Sequence, residues 1–341
     1  MSMKKIGYVK RAGITVLLVM SLFLTACAKK AEDQNTTADT DGKKNFKITV
    51  GAIKALGTIT PYIAKEKNFF EEAGLDVEIV DFADGSALGE AFAASGIDIA
   101  FMGIAPTATW QSKGVDLKII ASANGGGHVI LTREDTGINS IEDLKGKIIA
   151  EPNPGTVTDT LLRDYILPNA GLDPEKDLQI LSGLKPADMA ASLAVTKEVD
   201  AIITWEPFST QALKQYEGLK LVYDSAKEVP GNSETNALYP VNVASASVDL
   251  ITNHPKELQA FIDAYKKTID FLQQDPTANA VLAKELDLEE SVVEKARERV
   301  DYTYKIDAKG LFQTLQWAKD LGYLDAIPSE DEIFDYTFTG K

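Results

Sequence analysis

Two ten-residue stretches about a hundred positions apart, IDIAFMGIAP (Ile97–Pro106) and VDAIITWEPF (Val199–Phe208), follow one outline. An aspartate precedes a short apolar run, and the run turns directly into a helix start marked by proline, with no hydrophilic loop between them. Each closes a longer unit of the same order, SALGEAFAASGIDIAFMGIAP in the first half and ADMAASLAVTKEVDAIITWEP in the second. Asp98 aligns with Asp200, and Pro106 with Pro207 to within one residue. An apolar run of this length reads as a buried strand. A strand whose carboxyl end opens into a helix belongs to an α/β sheet, where ligands collect at the carboxyl ends. Free N–H groups and the helix dipole at such ends favour negative charge on a ligand.

The surrounding chain keeps the alternation. Strands are expected at Phe46–Ile53, Leu75–Phe82 and Leu117–Ala123, and in HVILTRE, KIIAE, DLQILSG and LKLVYDS. Helices are expected from Thr60 to Gly74, from Ser86 to Ser95, from Pro106 to Lys113, from Thr156 to Ala170 and around Ala187–Lys197. This is the pattern of βαβ units and a largely parallel sheet. Tyr239–Ile251 reads as extended, and from Pro255 onward the chain reads as helical. At 341 residues, 45% of them hydrophobic, the chain exceeds the size one core usually serves, so two lobes are expected.

The N-terminus carries a different signal. Lys4, Lys5, Lys10 and Arg11 precede an uncharged segment, Ala12–Leu24, and then LTAC ending at Cys27, the one cysteine of the chain. The apolar run suits an export signal and is short for a membrane span. A lone cysteine after small residues resembles the bacterial lipobox, in which the thiol is acylated and anchors the protein. We therefore expect a lipoprotein signal peptide at 1–26, lipidation at Cys27 and a tether at 27–45. Ala28–Asn45 contains no aromatic and no apolar residue larger than alanine, so it cannot offset its ordering entropy. With one cysteine, no internal disulfide is possible.

Charge excludes a class of partner. The formal charge is −16, and because the first 26 residues carry four cations and no acid, the remainder carries −20. Such a surface repels nucleic acid. No nucleophile elbow, zinc-binding pair of histidines, Cys/His metal set or phosphate loop is present, so no catalytic residue, metal or cofactor is expected. Gly125-Gly126-Gly127 leads into the strand-like HVIL, and reads either as a crossing that lets backbone approach a ligand or as an ordinary turn. Four turns at strand ends remain: Asp84-Gly85-Ser86, Met102 to Pro106, Pro154-Gly155-Thr156 and Trp205-Glu206-Pro207. Each alone reads as a capped helix; together, two per half, they point to a shared cleft. His128 begins a strand, where a histidine is either a satisfied structural residue or a ligand contact.

The segments PYIAKEKNFFEEAGLDVEIV, GIDIAFMGIAPT, SIEDLKGKIIAEPNPGT, VDAIITWEPF and YDSAKEVPG together resemble a bacterial solute-binding family. It is the nitrate/sulfonate/taurine type of ABC-importer substrate-binding proteins, which includes carriers of thiamine-precursor pyrimidines. The resemblance runs from about Phe46 to the C-terminus. It implies a two-lobed periplasmic-binding-protein-like (type II) α/β fold, with two mixed sheets flanked by helices and joined by two crossover segments. Lobe 1 would be 46–127 plus 245–341 and lobe 2 would be 128–244, with crossings near Gly125–Val129 and Asn236–Ala244 and the C-terminal helices on lobe 1. It also implies a monomer that captures a small-molecule solute, docks on an ABC permease driven by an ATPase, and lies on the extracytoplasmic face of the cell membrane.

Matching positions place Thr58, Gly85, Ser86, Met102, Gly103, Ile104, Ala105, Gly155, Thr156, Trp205 and Glu206 around the ligand, and His128 is carried beside them as a further candidate contact. Helix N-termini suit a sulfonate or nitrate. A flat heterocycle between Trp205, Met102 and Phe101, with Glu206 accepting its N–H groups, is the alternative. An enzyme on the same fold and a sensory surface lipoprotein remain open as other functions.

Overall fold

The computed structural model describes residues 36–38, 44–233 and 237–340. The expected signal peptide and Cys27 lie outside the described residues, as does most of the expected tether. The described strands are β1 (Thr36–Ala38), β2 (Lys44–Ile53), β3 (Leu75–Phe82), β4 (Ile99–Gly103), β5 (Leu117–Gly126), β6 (His128–Arg133), β7 (Ile148–Ala150), β8 (Gln179–Leu181), β9 (Ala201–Trp205), β10 (Leu219–Asp224), β11 (Pro240–Ser247) and β12 (Val300–Tyr302). They form a seven-stranded sheet in the order β1-β2-β4-β11-β5-β12, with β3 also on β2, and a five-stranded sheet in the order β10-β6-β9-β7-β8.

The echo between the two halves is a physical repeat. Asp98, just before β4, accepts the Thr49 N–H of β2 at 2.7 Å and donates its own N–H to the Thr49 carbonyl. Asp200, just before β9, does the same to Ile148 at the start of β7, accepting at 3.0 Å. In each sheet the aspartate locks the entry of the strand onto its parallel neighbour. Each strand then runs directly into a helix, Ile104–Ser112 after β4 and Phe208–Gln215 after Trp205-Glu206-Pro207.

The expectation of largely parallel sheets is corrected. Pairing is parallel within the βαβ units (β2 with β3 and β4; β7 with β8 and β9). It is antiparallel where a strand arrives from a crossing: β11 inserts between β4 and β5, and β6 lies between β9 and β10. The chain passes from the first sheet to the second at Gly127 and returns between Asp224 and Pro240. The boundary 128–244 is therefore too late: Pro240–Ala244 pair in the first sheet. The reading of 27–45 as a tether fails at its end, because Thr36–Ala38 pair antiparallel with Lys44–Phe46. Ladder bonds use backbone groups, so a polar segment can join an edge without burying large side chains.

Two further expectations are revised. The extended stretch ends at Ser247, whose hydroxyl accepts the Leu250 N–H and caps a helix over Val248–Asn253. The helical C-terminal region is interrupted by β12, which extends the first sheet.

The glycine run owes its composition to close packing. A Cβ at Gly125 would lie 2.7 Å from the Leu238 carbonyl oxygen, and one at Gly126 2.5 Å from that of Arg299. Gly126 and Gly127 also take positive φ, +69° and +92°, which glycine adopts without penalty.

The core follows the lobes. Ile48, Val50 and Ala52 of β2 are wholly buried beneath the helix Pro255–Gln274. That helix presents Phe261 to Phe70 (stacked, 4.9 Å) and Tyr265 to Phe101 (edge-on, 5.4 Å). A second cluster joins Ile104 and Ala108 of one lobe to Ile130, Val157 and Leu161 of the other through Leu311 and Leu315 of the helix Ala308–Asp320. The C-terminal helices therefore do not all belong to lobe 1; this one packs on both.

Candidate functional site

A cavity lies where the carboxyl ends of both sheets meet. Its walls come from Thr58, Gly85, Gly103, Gly127, His128, Thr156, Trp205 and Glu206, with Gly57, Asp84, Asn124, Thr158 and Asn242 completing the polar surface. It is small: the centre of a water-sized sphere can range over about 60 Å³, room for about four to six water-sized groups.

The lobes touch on both sides of this cavity. Asn153 donates to the Asp84 carboxylate across one rim. Beside it Gly103 meets Val157 so closely that a Cβ on the glycine would lie 2.7 Å from the valine methyl. At the Glu206 wall Arg299 donates to Glu206 at 3.0 Å and to Asp224 at 3.1 Å, and Lys214 pairs with Glu289 between the same two lobes.

Seven of the sequence-expected residues line the cavity: Thr58, Gly85, Gly103, His128, Thr156, Trp205 and Glu206. Five do not. Met102 is wholly buried against Leu88 and Phe92, because side chains of a strand alternate between faces and its neighbour Gly103 takes the cavity side. Ile104 and Ala105 point into the core shared by the lobes. Ser86 and Gly155 remain at helix starts outside the wall, Ser86 donating its N–H to Asp84 and Gly155 donating its own to Asp159. Phe101 is core against Phe261 and Tyr265, so the heterocycle sandwich with Met102 and Phe101 does not form.

The carboxylates of the wall are already engaged. Asp84 caps the helix Gly85–Ala93, accepting the Ser86 and Ala87 N–H groups. Glu206 accepts the Thr210 hydroxyl at 3.0 Å and the Thr210 N–H at 3.2 Å, besides Arg299. Burial pushes the Glu206 carboxyl up, and Arg299 and Thr210 oppose that shift. It therefore caps its own helix and closes an ion pair, while still forming part of the wall. Both nearby arginines are occupied: Arg299 as above, and Arg163 by Glu151 (2.6 Å), Asp159 (2.8 Å) and Glu175 (2.9 Å). Among the described residues no Lys or Arg lines the cavity and no cluster of His, Cys, Asp and Glu is arranged to hold a metal.

What the wall does offer is neutral donors. Thr156 caps the helix that starts at Val157 and continues to Asn169, leaving the first N–H groups of that helix without an intrahelical partner. The Trp205 indole stands edge-on to the His128 ring at 6.3 Å. Asn242 donates to the Asn124 carboxamide oxygen at 2.7 Å. Gly57 is needed opposite that pair, since a Cβ there would lie 2.8 Å from both carboxamides. Asn124, which with Ser122 is one of two polar residues in the run IIASANGG, was the available sequence signal for this part of the site.

A scan of family models matches residues 41–286 to the NMT1-like family. The chain belongs to the NMT1-like family. Among curated relatives of this NMT1-like chain, a putative aliphatic sulfonates-binding protein of Bacillus subtilis (strain 168) is 27% identical over 343 residues, covering 97% of this chain and 96% of the relative. Among solved structures, the alkanesulfonate-binding protein SsuA of Xanthomonas axonopodis pv. citri bound to MOPS superposes with a TM-score of 0.69 at 23% identity, covering 81% of this chain and 92% of that one. The periplasmic nitrate-binding protein NrtA of Synechocystis PCC 6803 gives 0.67 at 17% identity, covering 84% and 83%. The two-lobed periplasmic-binding fold is common to all of these structures.

His128 makes the pH behaviour of this NMT1-like chain testable. Burial holds its imidazole down at about 4, against about 6.5 for an unfolded histidine. Between those values the unfolded chain holds a proton that the folded chain does not, so stability falls as pH falls below about 6.5. From pH 7 to pH 5 the wild type should lose about 2 kcal/mol more than His128→Gln, measured as urea midpoints at each pH. Parallel pH curves would place the charge change elsewhere.

Proposed function

We propose that this chain is the extracytoplasmic solute-binding component of an ABC importer. It closes its two lobes on a small solute and presents the closed form, as a monomer, to a membrane permease driven by an ATPase. The observation that carries this reading is the small cavity at the junction of the two sheets, bounded by residues from both lobes and bridged by inter-lobe bonds to two of its lining residues, Asp84 and Glu206. The full-length likeness to a sulfonate-binding relative supports it. A catalytic role finds no support in the wall, where Asp84 and Glu206 are both committed to helix caps and inter-lobe bonds.

For the solute we propose a small sulfonate, nitrate or taurine-like compound. With no lysine or arginine in the wall, its oxygens would be held by N–H and O–H dipoles in a site shielded from water, as at other helix N-termini. A thermal-shift screen of the full-length protein in detergent, with panels of alkanesulfonates, nitrate, bicarbonate and pyrimidines, tests this. One compound of the first two panels should raise the melting temperature by several degrees at millimolar concentration. A shift from pyrimidines alone would overturn the solute class, and a shift from none of the panels would count against the binding reading.

Attachment to the membrane through a lipid on Cys27 is part of the same proposal. Cys27→Ser should abolish incorporation of labelled fatty acid and release the protein from the membrane fraction. Continued labelling would exclude the anchor.

A further inference from the structure

His128 enters the cavity with the rest of its ring and backbone held from behind. Its backbone N–H donates to the Ser225 hydroxyl at 3.0 Å. The Tyr239 hydroxyl lies 2.7 Å from Nδ1 of His128 and makes no other hydrogen bond of normal geometry among the described residues. All three residues are buried. If Nδ1 carried the proton, it would donate to the tyrosine oxygen and the tyrosine hydrogen would be left unpaired in a buried site, which is disfavoured. With Tyr239 donating to Nδ1, that hydrogen is used. The imidazole hydrogen then stands on Nε2, which has no protein partner among the described residues and belongs to a ring that lines the cavity.

We propose that Tyr239 is a positioning residue that sets the Nε2–H tautomer of His128, so that His128 selects a solute presenting an acceptor oxygen, rather than an N–H donor, at that end of the cavity. This rests on the solute-binding reading for its ligand and stands apart from it for its tautomer. The other open donors agree in sense. Thr158 is almost wholly buried and lines the cavity, its hydroxyl has no hydrogen-bond partner among the described residues, and it lies beside the free N–H groups at the helix start.

The chain has only two histidines, His128 and His254, so ring-labelled 15N-histidine protein gives an assignable spectrum, with His254→Gln identifying the second residue. At neutral pH, two-bond 15N–1H correlations of the full-length protein should show His128 protonated at Nε2 by at least about tenfold over Nδ1, the factor expected from one buried hydrogen bond. Tyr239→Phe, checked for its melting transition, should reduce that ratio several-fold. A proton on Nδ1 in the wild type, or a ratio unmoved by Tyr239→Phe, would overturn the proposal. Ethanesulfonate should shift the His128 Nε2 resonance and ethylammonium should not; the reverse pattern would also overturn it. If neither probe shifts any resonance while the tautomer is as stated, the solute reading fails and the tautomer assignment stands.

Discussion

Arg299→Met should lower the unfolding free energy by about 3–5 kcal/mol, the usual consequence of removing one partner from a buried ion pair. The side chains of Glu206, Asp224 and Arg299 are 0%, 4% and 12% exposed. Arg299 is the cation that joins the two acids. Methionine fills much of the aliphatic volume but leaves two carboxylates without compensation in a low-dielectric site. Lys227 reaches Asp224 at 3.5 Å but is mostly exposed, so it can replace little of that interaction. Urea unfolding provides the measurement, and the triple variant Arg299→Met, Glu206→Gln, Asp224→Asn should recover a large part of the loss, because no buried charge then remains. A loss under about 1 kcal/mol for Arg299→Met alone would mean that water already reaches the pair.

Gly103→Val should leave each lobe folded and weaken solute binding by about 100-fold. Gly103 ends β4 and faces Val157 at the start of the opposing helix, and the added Cβ alone would approach the valine methyl to 2.7 Å. Atoms do not pack at that distance, so the rim must open. A rigid obstruction at a closing interface reduces the population of the closed state, and about 3 kcal/mol of steric opposition corresponds to two orders of magnitude in affinity. Calorimetric titration with the compound found in the thermal screen measures the loss. Small-angle scattering of the variant should show no contraction on adding that compound. Wild-type affinity in the variant would show that Val157 moves aside at little cost.

Five of the expected site residues that line the cavity, Gly85, Gly103, Thr156, Trp205 and Glu206, were placed by local signals, whereas Thr58 came from the family resemblance and His128 from its position at a strand start. Trp205-Glu206-Pro207 and Gly103 stand at the carboxyl ends of apolar runs, and Thr156 has the features of a helix cap, all readable over a few residues. Met102, Ile104 and Ala105 failed for an equally local reason. A strand end was read as a block, although its side chains alternate and the next turn of helix points inward. Gly57, Asn124 and Asn242 were missed since they meet only when β5 and β11 pair, 118 residues apart in sequence for the two asparagines. Arg299 lies in the charged run KARERV, which by itself reads as solvated helix surface, and 93 residues separate it from Glu206.

What the sequence alone determined is the repeated unit: an aspartate, a buried strand, and a helix opened at its end, present once in each half of the chain. That information is local, since side-chain period and capping act over one or two turns of chain, whereas the lock of each aspartate onto its neighbouring strand joins residues 49 and 52 positions apart. The tertiary structure decided the electrostatics of the site. Asp98 and Asp200 perform one task in two sheets, yet Glu206 and Asp84, equally acidic and equally close to strand ends, became cavity wall. Their charges are held by Arg299 and Asn153 from the opposite lobe. Whether a buried charge faces a ligand or a partner depends on what the folded chain brings within about 3 Å of it, and those partners lie far away in sequence.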